Sequence, residues 1–227
     1  MNDKVEVLGI SIDHMNVETA MQRIADFLRT DSLNTVGIIT MNALLIAAED
    51  PVHREYLEQL DLSVVGELEV LEAAGINSGQ IYEETKENDF IARMFWKLIS
   101  NRHTFFLLGE SDEEVDALTT YVQETYPDII IRGKASGIAR DERSADWIVN
   151  EINGSGADVI ISGLQGFSQS GFLLENKMKI NGKIWICLGE HINIQNEAGI
   201  KNTWFSTLLK KSTFKRMAAK YRNEEID

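Results

Sequence analysis

Short apolar runs alternate along this chain with longer amphipathic segments. Runs of branched and aromatic residues that stop at glycine or polar residues are typical of buried strands, which in a parallel sheet are apolar on both faces. The predicted strands are Val5–Ile12, Val36–Thr40, Leu62–Val65, Thr104–Leu108, Ile129–Ile131, Val159–Ile161 and Lys183–Leu188.

The segments between these runs carry helix signals. Asn16 is placed to cap a helix over Asn16–Leu28, and Ser111, with Glu114 three residues on, predicts a capping box at the start of another helix. The further predicted helices are Ala43–Glu49, Val52–Leu60, Asp89–Asn101, Asp141–Ile152 and a segment from the strand Val159–Ile161 to about Lys179.

The order of the predicted elements indicates the fold class. Strands that alternate with helices predict an α/β fold with a largely parallel sheet and helices on both faces, of the Rossmann-like kind. We expect one such domain over residues 1–200. Residues 201–227 are predicted to form a basic amphipathic helical appendage, with apolar clusters around Trp204 and Phe214.

Charge is distributed unevenly over the 227 residues. The net charge of −14 divides into −18 for residues 1–200 and +4 for residues 201–227. An acidic body does not favour nucleic acid as a partner. The basic appendage favours either an anionic membrane surface or packing on the body or a partner subunit.

Composition and cysteine use indicate a compartment. No apolar run approaches the roughly 18 residues that a membrane-spanning helix needs. The single cysteine, Cys187, lies in an apolar run and is interpreted as a buried thiol. We therefore expect a cytoplasmic protein, with the appendage as a candidate for peripheral contact with the inner face of the membrane.

The segment Asp158–Ser170 holds the strongest sequence signal for a ligand site. A buried strand here opens into small and polar residues at its carboxyl end, which is the sheet edge where ligands bind in open α/β folds. Gly163 follows this strand, and Gly109 follows the strand Thr104–Leu108. Glycine at such strand ends allows a nucleotide to approach the backbone closely, although turns also require glycine.

Several segments together resemble the WecG/TagA/CpsF family of glycosyltransferases. The segments are ITMN followed by ALLIAAEDP (39–51), LDLSVV (60–65), FFLLG (105–109), ETYPDIIIRG (124–133), ADVIISGL with Gln169, and ICLG (186–189). The resemblance implies an inverting transfer of N-acetylmannosamine or a related sugar from UDP to a polyprenyl-pyrophosphate-linked sugar. It implies no cofactor, and the sequence has no Asp-x-Asp, paired-histidine or cysteine cluster that predicts a metal site.

The resemblance identifies which site residues are kept. The family's Thr-x-Asn segment is matched by Thr40 and Asn42. Asp89 and Gln169 match an aspartate and a glutamine of two later family segments. Together with Gly109 and Gly163, these residues are predicted to bind substrate. His191, which follows the last predicted strand, is added as a candidate for the same edge.

Other positions depart from the family's pattern. Gly66 stands where the family has its proposed general base, an aspartate, and Glu67 beside it is the candidate substitute base. Glu84 stands where the family has an arginine, and an acid there repels a phosphate. Lys86, two positions on, is a candidate for restoring the cation. Asn193 replaces the aspartate of a later segment.

These residues support competing hypotheses. The first is a glycosyltransferase acting on a UDP-sugar and a lipid-linked acceptor at the membrane surface. The second is a catalytically inactive pseudo-glycosyltransferase that binds or scaffolds an intact family paralogue, and a homo-oligomer fits either hypothesis. A third is a different small-molecule enzyme on the same fold, with its ligand near Glu190 and His191.

Overall fold

A computed structural model describes residues 4–137 and 145–188, and no side chain is described for Phe167. The strands are β1 Lys4–Val7, β2 Ile10–Asp13, β3 Asn34–Ile39, β4 Leu62–Val65, β5 Thr104–Gly109, β6 Ile130–Ser136, β7 Val159–Ser162 and β8 Ile184–Cys187. The helices are α1 Val17–Phe27, α2 Met41–Glu49, α3 Pro51–Glu58, α4 Leu68–Ala73, α5 Gln80–Lys86, α6 Asp89–Ser100, α7 Asp112–Thr125, α8 Ala145–Ser155 and α9 Gly166–Asn176.

Six strands form one parallel sheet in the order β4-β3-β8-β7-β5-β6. The last described strand, β8, is inserted between β3 and β7, so it joins the early strand pair to the later ones. This arrangement confirms the predicted α/β fold. None of the described helices has the length and apolar character needed to cross a bilayer.

Each face of the sheet carries its own hydrophobic core. On one face, α1, α6 and α7 pack against alternate side chains of the strands, with Ile24, Met94 and Leu118 among the buried residues. On the other face, α2, α3, α4, α8 and α9 pack together with the β1–β2 hairpin. The strands are therefore apolar on both sides, which is why they read as uninterrupted apolar runs.

The opening segment differs from its prediction. Instead of one strand over Val5–Ile12, β1 and β2 form an antiparallel hairpin that is separate from the main sheet. The turn is made by Leu8 and Gly9, whose φ angles of 53° and 70° suit a two-residue hairpin turn. Leu8 is buried and apolar, so the turn gives no polar break in the sequence.

Two other predictions needed correction, and several lie where the structure gives no description. Helices α4 and α5 were not predicted, because the region between β4 and α6 lacks a strong apolar period. Strand β6 extends to Ser136, well beyond Ile131, because this edge strand tolerates exposed polar residues such as Arg132 and Lys134. The predicted helix start at Asp141, the appendage 201–227 and residue His191 lie outside the described residues.

Two aspartates form hydrogen bonds between neighbouring strands at the amino edge of the sheet. Asp61 Oδ2 accepts hydrogen bonds from the Thr35 backbone N–H at 2.7 Å and its Oγ1 at 2.8 Å, and lies 2.6 Å from Lys177 Nζ. Asp158 Oδ2 accepts from the backbone N–H and Oγ1 of Thr104 at 2.9 and 3.0 Å. These contacts tie the start of β4 to β3 and the start of β7 to β5.

Both carboxylates are stabilised in the ionised form. Partial burial by itself raises the pKa of Asp61, but the hydrogen bonds from Lys177 and Thr35 outweigh it and lower the pKa below the ordinary value of 3.8. At Asp158, burial is likewise outweighed by the hydrogen bonds from Thr104 and the charge of nearby His103, so its pKa is also lowered. Each aspartate therefore stabilises the fold as an anion.

We predict that this stabilisation is lost in acid. A pKa lowered by folding stabilises the protein above the unfolded pKa, near 4, and the stabilisation disappears as pH falls through the lower folded pKa. The free energy of unfolding of the wild type, measured by urea titration and circular dichroism, should fall more steeply between pH 5 and pH 3 than that of Asp61→Asn and Asp158→Asn. Asp31→Asn, which removes an exposed carboxylate, is the control. Parallel curves for all four proteins would contradict this prediction.

Candidate functional site at the carboxyl edge of the sheet

The carboxyl ends of the parallel strands meet at one edge, and the loops there carry most of the predicted site residues. A cavity opens at this edge between the end of β3, helices α2 and α3, and the start of α9. We call it the amide cavity. Its polar lining residues include Thr40, Asn42, His53, Tyr56 and Gln169.

Thr40 stands where β3 becomes α2. Its backbone is extended and its Oγ1 accepts a hydrogen bond from the Ala43 N–H at 3.2 Å, which makes it the N-cap of α2. This cap turns the chain sharply at the strand end. The turn brings Asn42, in the first turn of the helix, to the same cavity as Thr40.

Gln169 reaches the amide cavity from the opposite side, on α9. Its side chain is buried, and its Nε2 donates a hydrogen bond to the Tyr56 hydroxyl at 3.2 Å. Its Oε1 is buried and has no hydrogen-bond partner among the described residues. A buried acceptor without a partner costs about 1–3 kcal/mol, so a hydrogen-bond donor that enters the cavity and reaches this atom would be stabilised.

A second cavity lies on the other face of the sheet, among β4, α1, α5 and α6, and we call it the Glu84 cavity. It is lined mainly by apolar residues, together with Gly66 and the polar residues Asp13, Glu84, Thr85 and Asn88. Ile38 lines both cavities. The predicted site residues are therefore divided between the two faces of the sheet, on either side of β3.

Glu84 is bound within the protein. Its Oε2 accepts a hydrogen bond from the backbone N–H of Val17, the first residue of α1, at 2.8 Å, and its Oε1 accepts from Gln80 Nε2 at 2.7 Å. The carboxylate therefore caps α1 from a distant part of the chain. The helix dipole favours an anion at this position.

Glu67 makes a similar contact. Its Oε2 accepts a hydrogen bond at 2.8 Å from the backbone N–H of Met41, the first residue of α2. Glu67 is also the N-cap residue of α4, but its side chain makes no hydrogen bond to that helix. Its carboxylate is therefore held at the backbone of Met41, the residue that follows Thr40.

Glu110 is the third carboxylate of this kind. It follows β5, and its Oε1 accepts from the backbone N–H of Gln165, the N-cap of α9, at 2.8 Å. Its Oε2 accepts from Ser168 Oγ at 3.3 Å. The chain runs from β5 to β6 on one side and returns to β7 on the other, so Glu110 bridges the crevice at the topological switch point of the sheet.

These three glutamates share one electrostatic consequence. The N-termini of helices are the usual binding positions for phosphate in α/β proteins, because free N–H groups and the helix dipole both favour an anion. Here Glu67, Glu84 and Glu110 occupy N–H groups at the starts of α2, α1 and α9. An anionic ligand must compete with them or bind elsewhere at the edge.

A family model for the Glycosyl transferase WecG/TagA/CpsF family matches residues 5–202, which is most of the chain. The chain belongs to this family. No curated protein matches it.

The family's pattern can now be compared with the geometry. The kept polar residues Thr40, Asn42 and Gln169 line the amide cavity together. Gly66 and Glu84, which the resemblance predicts to stand at the family's base and arginine positions, line the Glu84 cavity together. These assignments remain predictions.

The other predicted site residues lie apart from the amide cavity. Asp89 is the first residue of α6, next to Asn88 of the Glu84 cavity, and forms an ion pair with Arg93 at 3.1 Å. Gly109 ends β5, where an added Cβ would lie 3.0 Å from the Val115 backbone N, so close packing against α7 already explains this glycine. Gly163 follows β7, and its N–H donates to Leu108 O at 2.8 Å.

The sequence analysis did not single out Tyr56 or Glu110. In the sequence, Tyr56 is one of several apolar residues of a predicted helix, and Glu110 is an ordinary polar residue after a predicted strand. Neither position carries a signal that distinguishes it. Among the residues of 4–137 and 145–188, no three His, Cys, Asp or Glu side chains come together as a metal site would need.

Cys187 lines the amide cavity at the end of β8, and its thiol is buried. Burial raises the pKa of this thiol to about 12, so the thiolate is not populated at neutral pH.

We predict that Cys187 in the folded protein resists alkylation. Iodoacetamide at pH 8, followed by mass spectrometry of the intact chain, should leave the native protein unlabelled over a period in which the protein unfolded in urea is labelled fully. The unfolded sample is the control, because it contains the same single thiol. Rapid labelling of the native chain would show that the thiol is accessible and contradict this burial.

Proposed function

We propose that this protein transfers a sugar from a UDP-sugar to a polyprenyl-pyrophosphate-linked acceptor in the synthesis of a cell-surface polysaccharide. Family membership supports a glycosyltransferase role. The observation that carries the proposal is the amide cavity, where three polar residues kept from the family's pattern, Thr40, Asn42 and Gln169, lie together. The unpaired Gln169 Oε1 would accept a hydrogen bond from the substrate.

The proposed transfer has a defined balance of bonds and charge. The acceptor hydroxyl oxygen forms a bond to the anomeric carbon, the bond from that carbon to the UDP oxygen breaks, and UDP leaves with the electron pair. A base must take the hydroxyl proton. We assign this proton to Glu67, since Gly66 has no side chain that could accept it and the Glu67 carboxylate is bound to the backbone N–H of Met41, between the cavity residues Thr40 and Asn42.

The protein is proposed to work in the cytoplasm, at the inner face of the membrane where a lipid-linked acceptor is accessible. The net charge of +4 in residues 201–227 supports this location, because anionic lipids attract basic segments. The acidic body would be repelled by the same surface, so the appendage is proposed to orient the protein.

The direct test is turnover. Purified full-length protein is incubated with a panel of UDP-sugars and a polyprenyl-pyrophosphoryl-sugar acceptor, with and without membranes, and product is detected by mass spectrometry. Formation of a glycosylated lipid product, dependent on both substrates, is expected. Absence of product with every sugar under both conditions would reject the transferase proposal.

We predict that Glu67→Gln lowers kcat by about 100-fold or more with little change in KM, because an amide still accepts the Met41 N–H but cannot take a proton. Steady-state kinetics on the sugar that turns over measures this. Glu87→Gln, which removes an exposed carboxylate elsewhere, should keep wild-type kinetics. An unchanged kcat in Glu67→Gln would leave Glu67 with the capping role alone.

A second candidate function is favoured by Gly66 and Glu84. With no side chain at the base position and an acid at the phosphate-pairing position, the chain is suited to act as an inactive binding or scaffolding subunit. It would then assemble with an intact family paralogue or with a second copy of itself. Co-purification with an intact member, together with no product and no UDP binding by calorimetry, would favour this function.

We predict that Glu84→Gln increases the affinity for UDP by about tenfold. Two like charges about 4 Å apart repel by roughly 4 kcal/mol at an effective dielectric constant of 20, and the helix start screens part of this. Glutamine keeps an acceptor for the Val17 N–H, so the fold contact is retained. The matched control is Glu83→Gln, which removes an exposed charge from the same helix. Equal UDP affinity in the two variants would show that Glu84 does not face the diphosphate.

A further inference from the structure

Tyr56 enters the amide cavity from α3 and contacts Gln169 of α9 across it. The two helices pack against each other on the same face of the sheet. Both side chains are buried, and their 3.2 Å hydrogen bond runs from Gln169 Nε2 to the Tyr56 hydroxyl oxygen. The Tyr56 ring is supported by His53, one helical turn earlier, at a centroid distance of 5.4 Å.

This hydrogen bond determines what the cavity offers to a ligand. An amide group is planar, with its oxygen and nitrogen on opposite sides of the terminal carbon. When Nε2 is held by Tyr56, Oε1 is directed away from it, and that oxygen is buried without a partner among the described residues. If the amide turned over, Oε1 would accept from the tyrosine and the cavity would present an N–H donor instead.

Tyr56 is a neutral phenol in this site. Burial raises the pKa of Tyr56 well above its usual value of 10.0, and the neighbouring Cys187 raises it further. A neutral phenol can accept a hydrogen bond through its oxygen, as Tyr56 does from Gln169 Nε2 at 3.2 Å.

We propose that Tyr56 is a positioning residue that fixes Gln169 Oε1 toward the amide cavity, so that the cavity selects ligands presenting an N–H or O–H donor at this point. The donor is a sugar hydroxyl, the N–H of an acetamido group or the imide N–H of uracil. This inference rests on the proposed function, in which a nucleotide sugar bound at the carboxyl edge inserts one polar group into the amide cavity.

The test compares affinity and selectivity in matched variants. Calorimetry with the full chain measures the binding of UDP, UDP-glucose, UDP-N-acetylglucosamine and UDP methylated at uracil N3. Tyr56→Phe removes only the hydroxyl, and it should weaken the preferred ligand by about 5- to 30-fold, the effect of losing one buried hydrogen bond. Tyr82→Phe, which removes a hydroxyl that donates to Glu72 Oε1 at 3.4 Å outside this cavity, should bind like the wild type.

Selectivity separates positioning from a loss of packing. In the wild type, masking the recognised donor should weaken binding strongly, and the pattern across the four ligands identifies which donor it is. In Tyr56→Phe, the amide is free to turn over, so the difference between donor-bearing and donor-lacking ligands should collapse. A uniform loss of affinity with unchanged selectivity would overturn the positioning role.

The outcomes also distinguish this inference from the proposed function. A folded wild type that binds none of the four ligands overturns the proposed function and the ligand selection with it. A wild type that binds, with Tyr56→Phe unchanged in both affinity and selectivity, overturns the role of Tyr56 alone.

A second measurement does not depend on ligand or on the folding of a variant at Tyr56. In the ¹⁵N-labelled wild type, the Gln169 side-chain NH₂, assigned by its absence in Gln169→Leu, should exchange with solvent at least about tenfold more slowly than exposed glutamine side chains, because it donates to Tyr56 in a buried site. Exchange as fast as that of exposed glutamines would overturn the hydrogen bond on which the inference is built.

Discussion

The insertion of β8 between β3 and β7 is the constraint on which both the sheet and the site depend. β8 pairs in parallel with β3 along one side and with β7 along the other, and all four of its side chains are buried. Without it, the early pair β3–β4 would have no hydrogen-bonded connection to the later strands. Thr40 and Asn42 follow β3, whereas Gln169 follows β7, so the spacing across β8 sets the width of the amide cavity.

The carboxyl edge differs electrostatically from what its fold would suggest. In an open α/β sheet, helix starts usually supply positive potential for a phosphate. In this protein three glutamates, from three different loops, provide the anions at the starts of α1, α2 and α9. The helix N-termini at this edge are therefore stabilised by the protein's own carboxylates, and the attraction of the edge for a diphosphate is reduced.

The two cavities separate the residues predicted to bind substrate from the positions predicted to depart from the family's pattern. The amide cavity holds hydrogen-bonding residues shared with the family's pattern, among them a buried amide oxygen that suits an uncharged polar group. The Glu84 cavity lies on the opposite face of β3, is lined mainly by apolar residues, and contains Gly66 and Glu84, the two positions predicted to depart from the family's pattern.

The sequence alone determined most of the fold and the identity of the kept residues. Buried parallel strands are apolar on both faces, so they could be recognised as runs, and Asn16 and Ser111 marked helix starts that the structure confirms. The resemblance predicts that Thr40, Asn42 and Gln169 belong to one site, and all three line the amide cavity. These signals come from residues that are close together in the sequence, so a single sequence is enough to recognise them.

Only the tertiary structure decided which side chains meet. The hairpin turn at Leu8–Gly9 was not predicted from the sequence, because one of its two residues is a buried leucine. Helices α4 and α5 were not predicted because their segments lack a clear helical period of apolar residues. The partners of Glu67, Glu84 and Glu110 lie 26, 67 and 55 residues away along the chain, and Tyr56 is separated from Gln169 by 113 residues. A contact over such separations depends on the packing of the whole sheet and its helices, and no local pattern of residues specifies it.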